Sequence, residues 1–156
     1  MHRSRFAIGI ALFVLVALAG CGSSGSSGDT GDVTYIPADE FSVADYAGKP
    51  LVVNFFGSWC PPCNLEAPEL SSFVADNPDV QFVGVAVDDD ESDLADFMSK
   101  YGLDYPVVMT DWGFAGDYGV TGVPTTIFYD AAGQEKDRIV GAASSEQFAQ
   151  SLAAAT

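Results

Sequence analysis

The sequence predicts an α/β domain, a central mixed β-sheet flanked by helices. Two observations lead there. Leu51–Phe56 and Gln81–Val87 are largely apolar runs of strand length separated by a helical pattern. That is a βαβ unit, expected to pair in parallel with a right-handed crossover. Further on, Thr125–Tyr129 and Gln134–Val140 flank the turn residues Asp130-Ala131-Ala132-Gly133. These read as a hairpin, whose strands run antiparallel. Parallel and antiparallel pairing in one chain gives a mixed sheet.

Along the chain, the first feature is a short basic head (His2, Arg3, Arg5) followed by an apolar run of 14 residues, Phe6 to Ala19. The run is shorter than the ~20 residues a membrane-spanning helix needs, and reads as an export signal. It ends at Leu18-Ala19-Gly20-Cys21, which resembles the lipobox of bacterial lipoproteins. That resemblance implies a signal peptide over residues 1–20 and acylation of Cys21, which becomes the new N-terminus. Gly22 to Asp32 is rich in Gly and Ser and holds no large apolar side chain. It reads as a flexible tether, continuing from Cys21 through residue 32, with a reach of roughly 18 Å. Residues 33–156 then form one domain of ordinary size.

Within that domain, Leu51–Phe56 is apolar except for Asn54, as a buried strand is. A helix is expected from about Cys60 to Asn77-Pro78, with Leu65, Leu70, Phe73 and Val74 along one face and Pro68 interrupting its hydrogen bonds. The next helix, from about Ser92 to Tyr101, carries Leu94, Phe97, Met98 and Tyr101 as an apolar stripe. Tyr105–Met109 reads as a short extended stretch, and Asp111–Gly122 as a Gly-rich segment holding one helical turn. After the hairpin, Ser144 and Gln147 have capping-box spacing and open a last helix with Phe148 and Leu152 facing inward. Asp88-Asp89-Asp90-Glu91 reads as a solvated loop that caps the second helix. It lacks the glycine and the ligand spacing of a calcium loop.

Composition removes several classes of function. The chain holds 22 acidic and six basic residues, a net charge of −16. Loss of Arg3 and Arg5 with the signal takes it to about −18. Such a surface repels phosphate backbones and argues against nucleic acid as a partner. The one histidine, His2, lies in the signal. A zinc site of four Cys and His ligands therefore cannot be built in one mature chain, and Cys–His or Ser–His nucleophilic catalysis is excluded. No metal and no cofactor is expected.

Three cysteines are present. Acylation of Cys21 leaves Cys60 and Cys63 alone in the domain, where a buried strand gives way to a helix. The unpaired N–H groups of a helix start stabilise a thiolate. Three-residue spacing lets the second sulfur resolve a mixed disulfide on the first. Cys60, nearer the helix end and more exposed, is expected to attack, and Cys63 to resolve. A purely structural disulfide closing so short a loop stabilises little. The pair is therefore read as a redox centre.

The stretch Val52-Val53-Asn54-Phe55-Phe56-Gly57-Ser58-Trp59-Cys60-Pro61-Pro62-Cys63 resembles the active-site segment of the TlpA/ResA branch of thioredoxin-like proteins. Those are exported or membrane-tethered thiol–disulfide oxidoreductases, several of which serve cytochrome c maturation. The resemblance extends from about Phe41 to Ala155 and implies a thioredoxin-like fold. It implies that Pro68 bends the active-site helix. It also implies that Val123-Pro124-Thr125 is a cis-proline loop against the disulfide, seating substrate together with Trp59, Pro61 and Pro62. Asn54 stands where thioredoxin has a buried aspartate, so the resemblance gives Glu66 the proton-exchanging role. The implied partners are exported protein thiols or disulfides, apocytochrome c among them, and a membrane thiol-reductant transporter. The implied location is the outer face of the cell membrane, as a monomer held by its lipid.

Three rival readings stand beside a reductant. One is an oxidant that forms disulfides in exported proteins. The second is a non-enzymatic thiol chaperone for a soft metal such as Cu(I). The third, a peroxidase with a lone peroxidatic cysteine, lacks its Pro-x-x-x-Thr-x-x-Cys setting.

Overall fold

The computed structural model describes residues 33–156. The expected signal peptide (1–20), the acylated Cys21 and the tether through residue 32 lie outside the described residues. Six strands are present: β1 (Tyr35–Ile36), β2 (Leu51–Phe56), β3 (Gln81–Val87), β4 (Val107–Thr110), β5 (Thr125–Tyr129) and β6 (Glu135–Val140). Four α-helices accompany them: α1 (Pro61–Asp76), α2 (Glu91–Tyr101), α3 (Trp112–Asp117) and α4 (Ser145–Ala155). The sheet order is β1-β4-β3-β2-β5-β6. β1, β4, β3 and β2 run parallel, while β5 is antiparallel to both β2 and β6.

β2 is central, and every one of its residues is buried. Its side chains alternate between two cores, as strand geometry requires. Val52 and Phe56 join the larger core with Leu70 and Phe73 of α1, Leu94 and Phe97 of α2, and Phe148 of α4. Leu51, Val53 and Phe55 enter the second core, with Phe41, Ala115 and Ile127. Asn54 therefore points to the α1 side. The capping box foreseen at Ser144 and Gln147 opens α4, and Asp90 caps α2.

The inward face of α1 differs from the one expected. Leu65 is 76% exposed, while Cys63, Glu66, Ala67, Leu70 and Phe73 are buried. Counted from Cys63, the inward positions are i, i+3, i+4, i+7 and i+10, which places Leu65 on the opposite side of the helix. β1 and a short 3-10 turn at Val43–Tyr46 were not anticipated. The two-residue β1 has no periodicity to read, and its pairing to β4 is set by tertiary contact.

Candidate active site

The site lies where β2 ends and α1 begins. Cys60 is the N-cap of α1, with Pro61 and Pro62 as the first helical residues, positions where a missing N–H removes no helical bond. Cys60 and Cys63 are joined by a disulfide, their Cα atoms 5.2 Å apart. The Cys63 N–H donates to Cys60 Sγ at 3.3 Å. On its other side Cys60 Sγ stands 3.6 Å from the Val123 carbonyl oxygen. In the reduced protein the Cys60 thiol can donate to that oxygen. The Val123–Pro124 peptide is cis, so the loop and the disulfide face each other as the resemblance implies.

Cys60 is not the more exposed cysteine: both are 2% exposed. The Val123 side of the loop covers the sulfur expected to be open. The distinction between the two sulfurs therefore rests on position at the helix end and not on exposure.

The segment before Cys60 is tied down from two directions. Asp89 accepts hydrogen bonds from the Ser58 N–H, at 2.6 Å, and from the Ser58 hydroxyl. Asn64 donates to the carbonyls of Ser58 at 2.8 Å and Cys60 at 3.1 Å. The Tyr101 hydroxyl donates to Asn64 Oδ1 and links this turn to α2. Trp59 donates from Nε1 to the Val87 carbonyl at 3.0 Å yet remains 51% exposed. Gly57 makes that pose possible, since a Cβ there would stand 2.6 Å from the indole. The exposed faces of Trp59, Pro61 and Pro62 lie beside the disulfide.

Glu66 sits one turn beyond Cys63 and is only 2% exposed. Asn54 Nδ2 donates to its Oε1 at 3.0 Å, and the Ala143 N–H donates to its Oε2 at 3.0 Å. Asn54 also donates to Thr126 Oγ1 of β5. Burial pushes the Glu66 carboxyl up from 4.5 to about 7, against the lowering effect of the Ala143 and Asn54 donors. A group balanced there can take or give a proton at neutral pH.

Asn64, Asp89 and the Ala143 N–H were not singled out from sequence. Asn64 carried one signal, its place between the cysteines and Glu66. Asp89 was grouped with a solvated loop, and Ala143 acts through its backbone. Among the described residues no group of three or more His, Cys, Asp and Glu side chains is arranged to hold a metal.

The chain is similar to known proteins. Residues 33–154 match the Redoxin family. Thiol-disulfide oxidoreductase ResA of Bacillus thuringiensis is 34% identical over 119 residues, covering 74% of this chain and 68% of the relative. Soluble secreted antigen MPT53 of Mycobacterium tuberculosis is 40% identical over 101 residues, covering 64% of this chain and 58% of the relative. Among solved structures, a secreted Mycobacterium tuberculosis disulfide oxidoreductase, homologous to E. coli DsbE, superposes with a TM-score of 0.66 at 36% identity. It covers 73% of this chain and 87% of that one. The chain belongs to the Redoxin family, has the thioredoxin-like fold, and is a thiol–disulfide oxidoreductase.

Proposed function

We propose that this oxidoreductase works outside the cytoplasm as a reductant of disulfides in exported proteins, with apocytochrome c a candidate substrate. The domain of residues 33–156 is held at the outer face of the membrane by a lipid on Cys21. The secreted relatives support an extracytoplasmic setting. Trp59, Pro61, Pro62, Val123 and Pro124 receive the substrate segment.

In the forward direction the Cys60 thiolate attacks one sulfur of a substrate disulfide. That S–S bond breaks, one substrate sulfur leaves as a thiolate, and Cys60 is held in a mixed disulfide. Cys63 then gives its proton to the Glu66 carboxylate and attacks Cys60 Sγ. The Cys60–Cys63 disulfide forms and the second substrate thiolate leaves, so two electrons have passed to the substrate. A dithiol donor, such as a membrane thiol-reductant transporter, resets the pair by the reverse steps.

The surroundings of Cys60 Sγ carry the choice of direction. A strong oxidant needs an unusually stable thiolate. Here Pro61 and Pro62 supply no N–H, Cys63 supplies one at 3.3 Å, and the Val123 oxygen at 3.6 Å favours the thiol over the thiolate. No histidine is available within the domain to add positive charge. The reduction potential should therefore lie nearer about −270 mV than about −120 mV. Equilibration with glutathione measures it. A value above about −180 mV would make the protein an oxidant of exported proteins instead.

A further inference from the structure

Tyr105 stands just before β4 and is buried. Its hydroxyl is the one buried side-chain polar atom, among the described residues, without a hydrogen-bond partner in the protein. Leaving a buried hydroxyl unpaired costs about 1–3 kcal/mol, so a partner is expected. Gly84 of β3 pairs with Asn54 of β2 on one side and with Val107 of β4 on the other. A Cβ on Gly84 would stand 3.0 Å from Tyr105 Cε2 and 2.9 Å from Phe56 Cε1. The missing side chain thus opens the space that the Tyr105 ring fills above β3. The next residue along that row is Asn54, whose amide holds Glu66. Tyr105 approaches this compartment from the β4 side, and Ala143 from the end of β6.

We propose that Tyr105 is a positioning residue for the Glu66 proton, its hydroxyl donating through one buried water to the Glu66 carboxylate beside Cys63. The inference rests on Glu66 as the group that exchanges protons with Cys63. Each carboxylate oxygen accepts one protein hydrogen bond, from Asn54 or from Ala143, and so retains capacity for another. A water that bridges two such polar groups satisfies both at once. The groups gathered around Glu66 are Asn54 from β2, Thr126 from β5, the Ala143 N–H, Cys63 on α1, and Tyr105. Among these side chains only Tyr105 titrates while the cysteines are paired, and none is cationic. Burial first, and then the Glu66 charge, push Tyr105 up. The phenol keeps its proton at neutral pH and serves as a donor.

Such a donor favours the ionised carboxylate, so removing it should raise the Glu66 midpoint further. The test uses the full chain in its oxidised form, where the paired cysteines do not titrate. Carbon-13 NMR follows the Glu66 carboxyl in wild type and in Tyr105→Phe. The variant midpoint should rise by about half a pH unit or more, about threefold in the ionisation constant. An unchanged midpoint overturns the proposal. Should the variant not fold, the wild-type protein still decides. A slowly exchanging Tyr105 hydroxyl proton should shift across the Glu66 titration, and a signal that ignores it overturns the proposal. The exchange role of Glu66 is tested separately, by thiol titration of reduced Glu66→Gln. An unaltered thiol titration there removes Glu66 from the chemistry whatever Tyr105 does.

Discussion

Replacing Glu66 by Gln should change which protein is more stable as pH rises. A carboxyl whose midpoint is higher in the folded chain binds its proton more tightly there than in the unfolded chain. Below pH 4.5 both states hold the proton and the shift costs nothing. Between 4.5 and about 7 the unfolded chain has lost the proton while the folded chain keeps it, so stability falls as pH rises. Above about 7 the full loss is in place. A rise from 4.5 to about 7 corresponds to about 3 kcal/mol, at about 1.4 kcal/mol per pH unit. Gln escapes this loss but has a single carbonyl oxygen, so either Asn54 or the Ala143 N–H loses its acceptor. That costs about 1–3 kcal/mol at every pH. The variant should be the less stable protein at pH 5 and should draw level with or pass wild type at pH 8. The swing is about 2.5 kcal/mol. Guanidinium unfolding of the two oxidised proteins at both pH values measures it, provided the slope with denaturant is shared. Asp90 and Asp130, whose carboxyls are held low, are present in both proteins and cancel in the difference. A stability gap that does not change with pH would refute the account of Glu66 as a desolvated carboxyl.

The division of labour between the sulfurs is tested by trapping. Cys63→Ser should accumulate mixed disulfides through Cys60, while Cys60→Ser should trap little, as gel electrophoresis under non-reducing conditions will show. Partners trapped mainly by Cys60→Ser would reverse the two roles. For the anchor, Cys21→Ser should release or misprocess the protein while leaving the redox activity of the purified domain unchanged. Mass spectrometry that finds unmodified Cys21 in mature protein would remove the lipid from the proposal.

Local pattern was enough to foresee most of the fold and the centre of the site. β2 and β3 are runs of buried apolar residues, α2 carries a regular stripe, and the Ser144–Gln147 cap is a spacing of three, so each could be read within a short window. Cys60, Cys63 and the Val123–Pro124 loop were found because motif and resemblance name them. Three parts needed the fold itself. Leu65 is a large apolar residue in the first turns of α1, yet its angle around the helix turns it to solvent. That angle follows from where Pro61 starts the helix. Glu66 was named by the resemblance, while its burial and its donors, from residues 54 and 143, appear only in the fold. Tyr105 was read as part of an extended stretch. Its meaning comes from Gly84, which lies on the strand after α1 and is adjacent to Asn54 only through register.

The two sulfurs are governed by different parts of the chain. Cys60 meets one backbone donor and one backbone carbonyl, both fixed by the helix start and the cis-proline loop, and neither group changes charge near neutral pH. Cys63 shares α1 with a carboxyl poised at about 7, whose donors come from β2 and from the residue before α4. In the proposed scheme nucleophilic strength at Cys60 follows from geometry, while the Cys63 proton passes to a buried acid that titrates. On the reductant reading proposed above, separating the two lets the attacking sulfur remain only modestly acidic. In the same scheme the resolving sulfur has a proton acceptor that need not come from solvent. Asn54 is what allows this arrangement. A neutral amide at that place donates to Glu66, whereas a second carboxylate would repel it and push both groups towards protonation. The one buried acid here is held by neutral donors alone, since no cation acts on Glu66 among the described residues.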